Sequence, residues 1–394
     1  MNGSIGTAQW RGILGATFAT LLIAITLGIL VLNPIWSRLA VSGLFPQYIL
    51  PPITAPVDGI YYILNSVLGY QWKTRDPLSL WFHPLLSTLL KLLPASFPKN
   101  YEFWFLTLAF AAGTLPLIYQ LIRTLSGNDS FSPWLLILCL IAPGGLEFAT
   151  GNAEIPALFF ETALLMSVLI WENSWITLTC AILAILTKPN ALYMVPLLAV
   201  YLIVGLHERN NKLISQSLLG IVFILGTWLA WIWVVDWKTG GTDIYWAARE
   251  QESIYLGIGG NIFYFFGSLA QSFLTPNSPR DEIRYGMALA IPLANYLFIG
   301  LAPTPKNEHR FAAAAGNTAM LAIELLMGNP NKILVYTTTL PTYFPVHLIL
   351  IGDIFNNFSH SKCLKSIVIG IAYLAYCFLM VIIYVLGTPL RWYH

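Results

Sequence analysis

The chain has 394 residues, of which 57% are hydrophobic and only 10% charged, with a net charge of +2 and a mean hydropathy of +0.69. A soluble domain is about 45–50% apolar and about 25% charged, and so few charges cannot cover a soluble fold of this length. A soluble enzyme, a disordered protein and a nucleic-acid binder with a basic face are excluded, which leaves a polytopic membrane protein.

Apolar runs follow one another at 13–32, 78–94, 102–122, 131–147, 155–171, 175–187, 190–206, 213–235, 285–302, 311–328, 333–353 and 366–387. A spanning helix takes about 20 residues, so the pattern predicts an all-α transmembrane protein with about 11 spans and a half-helix. The first run has no small-residue cleavage site and reads as a retained helix, not a signal peptide. Cys139, Cys180, Cys363 and Cys377 sit in or beside apolar runs at no metal-like spacing and read as small core residues.

The breaks between runs are Pro143-Gly144-Gly145, Gly151-Asn152 and Pro189-Asn190 rather than runs of charge. Broken helices at membrane depth are tolerated where protein or a watery cavity satisfies the freed backbone, so 143–190 reads as a cavity wall. Two stretches are polar: 33–77, and 236–284, which carries ten of the chain's charged residues. Both read as loops with interfacial helices, the second around the aromatic segment 260–274.

Short basic loops at Arg209/Lys212, Lys306/Arg310 and Lys362/Lys365 mark the cytoplasmic face. The two polar stretches then share the external face, and the number of crossings between them is even. Seven apolar runs lie between them, so one does not cross. The run 131–147, ending in Pro-Gly-Gly, is predicted to be that half-helix.

Ionisable residues inside a membrane are costly and are functional candidates by default. Asp58 precedes an amphipathic aromatic stretch; a carboxylate at the membrane boundary can take a proton from a hydroxyl, or serve as a helix cap. His83 precedes Pro84, a helix-starting residue. Lys188 sits at the break before Pro189, where an ammonium suits a phosphate or snorkels to the surface. Asn152 and Glu154 bind a ligand or form a capping turn. Glu147 is an intramembrane carboxyl with no further assignment. Glu161 and Glu324 read as buried and hydrogen-bonded, Lys91 as snorkelling. Arg249, Glu250 and Glu252 read as a solvated face or a substrate contact. No nucleotide-binding loop, zinc spacing or nucleophile elbow is present, so an enzyme here needs an activated donor that arrives within the membrane.

The order of these residues carries a resemblance. Asp58 with Tyr61-Tyr62 and Gly69-Tyr70 comes first, then Trp81-Phe82-His83-Pro84 running to Leu92-Leu93-Pro94, then Gly151-Asn152, then Leu186-Thr187-Lys188-Pro189. This resembles the GT-C superfamily of membrane glycosyltransferases that use polyprenyl-phosphate sugars, and within it glycosyltransferase family 87. The resemblance covers about residues 10–210. It implies a GT-C-like module over 1–210 with the external loop 33–77, and a variable module over 211–394 with the external loop 236–284. His83-Pro84 replaces the more usual Tyr-Pro, and the external carboxylate is single where other branches carry an acidic pair.

The resemblance implies an inverting transfer of a sugar, mannose or another hexose or pentose, from a polyprenyl phosphate to a hydroxyl of a lipid-linked or glycan acceptor. Asp58 is then the base, with His83 orienting it or the phosphate. Lys188 holds the donor phosphate, and Asn152, Glu154, Tyr61, Tyr62 and Arg249 meet sugar or acceptor. No cofactor is called for, and a divalent cation lacks a clear ligand pair. The partners are the donor, the acceptor and membrane lipids, without nucleic acid, at a bacterial inner membrane with the site on its external face. A transporter or flippase and an O-antigen ligase or polymerase-like enzyme stay open as alternatives.

Overall fold

The computed structural model describes residues 7–32, 58–70, 83–94, 97–127, 131–140, 145–241, 293–302, 306–327 and 368–380, with isolated positions between them. These are mostly helical, with no strand among the described residues. Helix α1 is Thr7–Leu27, prolonged by a wider turn over Gly28–Leu32. Then come α2 (Asp58–Leu68), α3 (Pro84–Leu92), α4 (Lys99–Ser126), two 3-10 stretches (Pro133–Leu140 and Gly145–Ala149), α5 (Glu154–Met166, prolonged over Ser167–Trp171) and α6 (Ser174–Thr187). A 3-10 turn at Pro189–Tyr193 leads to α7 (Met194–Glu208), α8 (Asn211–Thr239) and α9 (Asn307–Met327).

Five helical stretches among the described residues are long and apolar enough to cross a membrane: Gln9–Leu32, Lys99–Ser126, Glu154–Trp171, Ala191–Glu208 and Asn211–Thr239. Their outer faces expose Phe18, Leu22, Leu30, Leu229 and Trp233, large apolar side chains that suit lipid rather than water. Inside, α5 packs on α4 and α6, and α8 lies against α6 and α7, with α9 on α7. Hydroxyl and amide groups join these helices where apolar contact alone gives little association in lipid. Ser167 Oγ meets Thr177 Oγ1 at 2.8 Å, Thr177 Oγ1 donates to Gln216 Oε1 at 2.6 Å, and Gln216 Nε2 donates to Ser174 Oγ at 2.9 Å.

The contacts give the chain's direction. Gly12 approaches Pro133, whereas Gly28 lies against Ala149. Tyr119 OH donates to the Phe131 carbonyl at 2.6 Å, and Trp104 Nε1 donates to the Ala149 carbonyl at 3.3 Å. Residues 131–149 therefore retrace α4 from Tyr119 back to Trp104. The predicted half-helix at 131–147 is corrected: it is two 3-10 pieces, and their longer rise of about 2.0 Å per residue carries a short segment back along the helix. Gly145 makes the fold-back possible, because a Cβ there would sit 1.8 Å from the Cys139 carbonyl oxygen.

Within the run 78–94 the described part is short. Among the described residues it forms only the nine-residue α3, about 14 Å long. Leu93, preceding Pro94, is extended (φ −69°, ψ 142°), as the proline ring requires of its neighbour. Leu86 and Leu90 of α3 pack with Tyr62 of α2, Phe103 of α4 and Ala153. The ends of α1, α6 and α8 and the starts of α4, α5 and α7 share this end of the bundle with α2 and α3. Leu32 and Asp236, the described residues that border the two polar stretches, lie there.

Candidate functional site

Two prolines shape the site. Pro189 has no N–H, so the Ile185 carbonyl four residues earlier loses its intrahelical donor. The His83 ring supplies a replacement through Nδ1. An Nδ1–H given to that carbonyl places the acceptor lone pair of a neutral imidazole on Nε2. Pro189 also holds Lys188 extended (φ −156°, ψ 140°), which ends α6 and turns the lysine out of the helix. Pro84 does the same to His83 (φ −67°, ψ 152°) and opens α3. The Thr187 carbonyl, in the unpaired last turn of α6, accepts the Tyr62 hydroxyl at 2.9 Å.

Opposite Lys188 stands the turn between the 3-10 stretch and α5. Glu147 Oε2 accepts from Thr150 Oγ1 and Asn152 Nδ2, both at 3.0 Å. Asn152 Oδ1 accepts from the Ala153 amide at 2.8 Å. This rigid turn presents Glu154, the first residue of α5, to Lys188, and Glu154 Oε1 pairs with Lys188 Nζ. The pair is nearly enclosed, with side chains 3% and 13% exposed. Glu161, two turns along α5, is also buried. Glu154 Oε2 and Glu161 Oε1 have no hydrogen-bond partner among the described residues.

The structure thus brings Tyr62, His83, Asn152, Glu154 and Lys188 to one end of the bundle, on four separate segments. Tyr61 is half-buried and packs beside Tyr62. Asp58 opens α2, one helical turn before Tyr62; its side chain lies outside the described residues. Arg249, Glu250 and Glu252 also lie outside them, as does the Glu324 side chain. Lys91, expected to snorkel to the cytoplasmic edge, is exposed and lies on α3.

Sequence reasoning gave Glu147 no role and Glu161 only a structural one. The signals were Glu147 three and five residues before Thr150 and Asn152, and the seven-residue spacing of Glu154 and Glu161, which puts both on one helix face. Glu161 was expected to be buried and hydrogen-bonded to neighbouring helices; it is buried, and its Oε1 has no hydrogen-bond partner among the described residues. Trp231 of α8 was also passed over. It lies 5.7 Å from the His83 ring, 5.5 Å from Tyr70 and 6.1 Å from Trp72, so α8 closes the side of the site.

Among the described residues no three His, Cys, Asp or Glu side chains are arranged to hold a metal ion. The arrangement offers an ammonium, two acceptor oxygens and an amide in a region shielded from water, where each charge acts more strongly than in solvent. No protein-family model, curated protein or solved structure matches the chain.

Proposed function

We propose that the chain is a membrane glycosyltransferase of the GT-C kind, moving a sugar from a polyprenyl phosphate to an acceptor hydroxyl. The observation that supports this is convergence. The four segments that carry the resemblance are far apart in sequence: Tyr62 and Thr187 by 125 residues, His83 and Ile185 by 102, Glu154 and Lys188 by 34. They meet around one nearly enclosed ammonium at one end of an apolar bundle.

In the proposed reaction Asp58 removes the proton from the acceptor hydroxyl. The oxygen attacks the anomeric carbon, and the bond from that carbon to the phosphate oxygen breaks on the opposite side, with inversion. The phosphodiester becomes a monoester and gains negative charge. Lys188 stabilises that charge, a preorganised electrostatic contribution that bears on the transition state more than on the ground state. In the absence of donor, Glu154 occupies the lysine; the donor phosphate takes its place. Asn152 and the released Glu154 then face the sugar. His83 fixes the end of α6 and so the position of Lys188. The membrane is taken as the bacterial inner membrane, with the site on the external face.

The test is transfer itself. Purified chain in detergent is given radiolabelled polyprenyl-phosphate-mannose and a membrane-lipid acceptor fraction. Label moves to the acceptor with the native chain and not with Asp58→Asn at unchanged helicity. Undiminished transfer by Asp58→Asn refutes the base, and transmembrane movement of the lipid without transfer favours a flippase.

A further inference from the structure

Glu161 takes no part in the steps set out above. It lies seven residues after Glu154 on α5, close to two full turns, so the two side chains leave the same helix face. Their backbone positions are about 10 Å apart along the axis, a spacing that two glutamate side chains and one sugar ring can bridge. Glu161 lies within electrostatic reach of both Lys188 and Glu154. It is 1% exposed, and its Oε1 and Glu154 Oε2 are the buried carboxyl oxygens without a partner among the described residues.

A buried acceptor that receives no donor is costly, and such groups call for an explanation. Each of these carboxyl oxygens can accept a hydrogen bond, so a group with O–H donors would satisfy both. The neighbouring Lys188 ammonium calls for an anion on the same molecule, and its 13% exposure leaves it reachable. A metal ion fits poorly, since no three such ligands converge among the described residues. A ring of hydroxyls attached to a phosphate fits both demands.

We infer that Glu154 and Glu161 form a pair of hydroxyl acceptors for the sugar that carries the phosphate, with Glu161 a specificity-determining residue of the donor subsite. The inference rests on the transferase reading given above. The chemistry chooses the donor sugar over the acceptor sugar because Glu154 pairs with the lysine and Glu161 lies within its electrostatic reach.

Calorimetric titration of the full chain in detergent tests it with three probes: mannose 1-phosphate, inorganic phosphate and methyl α-mannoside. The native chain binds mannose 1-phosphate more tightly than phosphate. Glu161→Gln weakens mannose 1-phosphate by about tenfold or more and leaves phosphate within about twofold. Glu161→Asp, which keeps the carboxyl group but withdraws it by one methylene, shows the same split and serves where the glutamine variant fails to fold. Equal loss on both probes makes Glu161 structural, and no loss removes it from the site; either result overturns the inference. So does a native chain that binds neither probe, or methyl α-mannoside bound as tightly as mannose 1-phosphate. A native chain that shows the split but transfers no sugar removes the transferase reading and leaves the subsite standing. One that transfers sugar while Glu161→Gln binds like native removes the subsite alone.

Discussion

The bundle has two ends, and each carries a lysine–glutamate pair. At one end, tight turns join α5 to α6 and α7 to α8. Glu172 and Arg209 take left-handed backbone (φ 47° and 53°). Asn173 accepts from the Trp175 and Ile176 amides, and Asn210 from the Leu213 amide. Lys212 pairs with Glu172 in the open, with side chains 71% and 40% exposed. At the other end, helices stop at prolines, their freed carbonyls are filled by Tyr62 and His83 from distant segments, and Lys188 pairs with Glu154 under cover. The first end closes its chain locally and keeps its charges in water. The second draws charge under cover and leaves carboxyl oxygens of Glu154 and Glu161 without donors among the described residues. Departures of that sort, in a fold otherwise consistent, gather where a protein works rather than where it merely folds.

The contrast can be broken by mutation. Lys188→Ala strands Glu154 in a buried position, and removing one member of a buried pair costs about 3–5 kcal/mol. Thermal unfolding in detergent, followed by circular dichroism, should show the largest drop of the set. His83→Ala removes the donor from the Ile185 carbonyl, at about 1–3 kcal/mol. Pro189→Ala restores an N–H to that carbonyl, so the His83→Ala loss should be smaller in a Pro189→Ala background. Equal losses in the two backgrounds would deny that the ring replaces the missing amide. Asn152→Ala takes one of two side-chain donors from Glu147 and should cost about 1 kcal/mol. Lys212→Ala, at the open end, should cost about 0.2–1 kcal/mol. A Lys212→Ala effect as large as that of Lys188→Ala would erase the difference between the ends.

The same contrast explains what could be read from sequence. The open end was legible in part because one of its signals is local: basic residues, Arg209 and Lys212, in a short loop. The buried end was legible in part, because proline acts on its immediate neighbour and so marks His83 and Lys188 as helix boundaries. The pairing of Lys188 with Glu154, and of His83 with Ile185, was not legible, since it depends on how α2, α3, α5 and α6 dock. The 3-10 form of Pro133–Leu140 and Gly145–Ala149 was not legible, because hydropathy does not separate a 3-10 stretch that returns along α4 from a short helix. Glu161 was set aside because a lone glutamate in an apolar run looks like any satisfied buried carboxyl until its neighbours are in view.

The decisive measurement uses a variant that keeps the fold and removes the charges. Replacing a buried ion pair by apolar side chains of similar volume is often neutral for stability. Lys188→Met with Glu154→Met should therefore unfold within a few degrees of the native chain, unlike Lys188→Ala alone. Transfer of labelled mannose from polyprenyl phosphate should fall by about a hundredfold or more, the scale of losing a preorganised charge at the leaving group. A double variant that is folded and transfers sugar at the native rate would contradict a transfer site at the buried end.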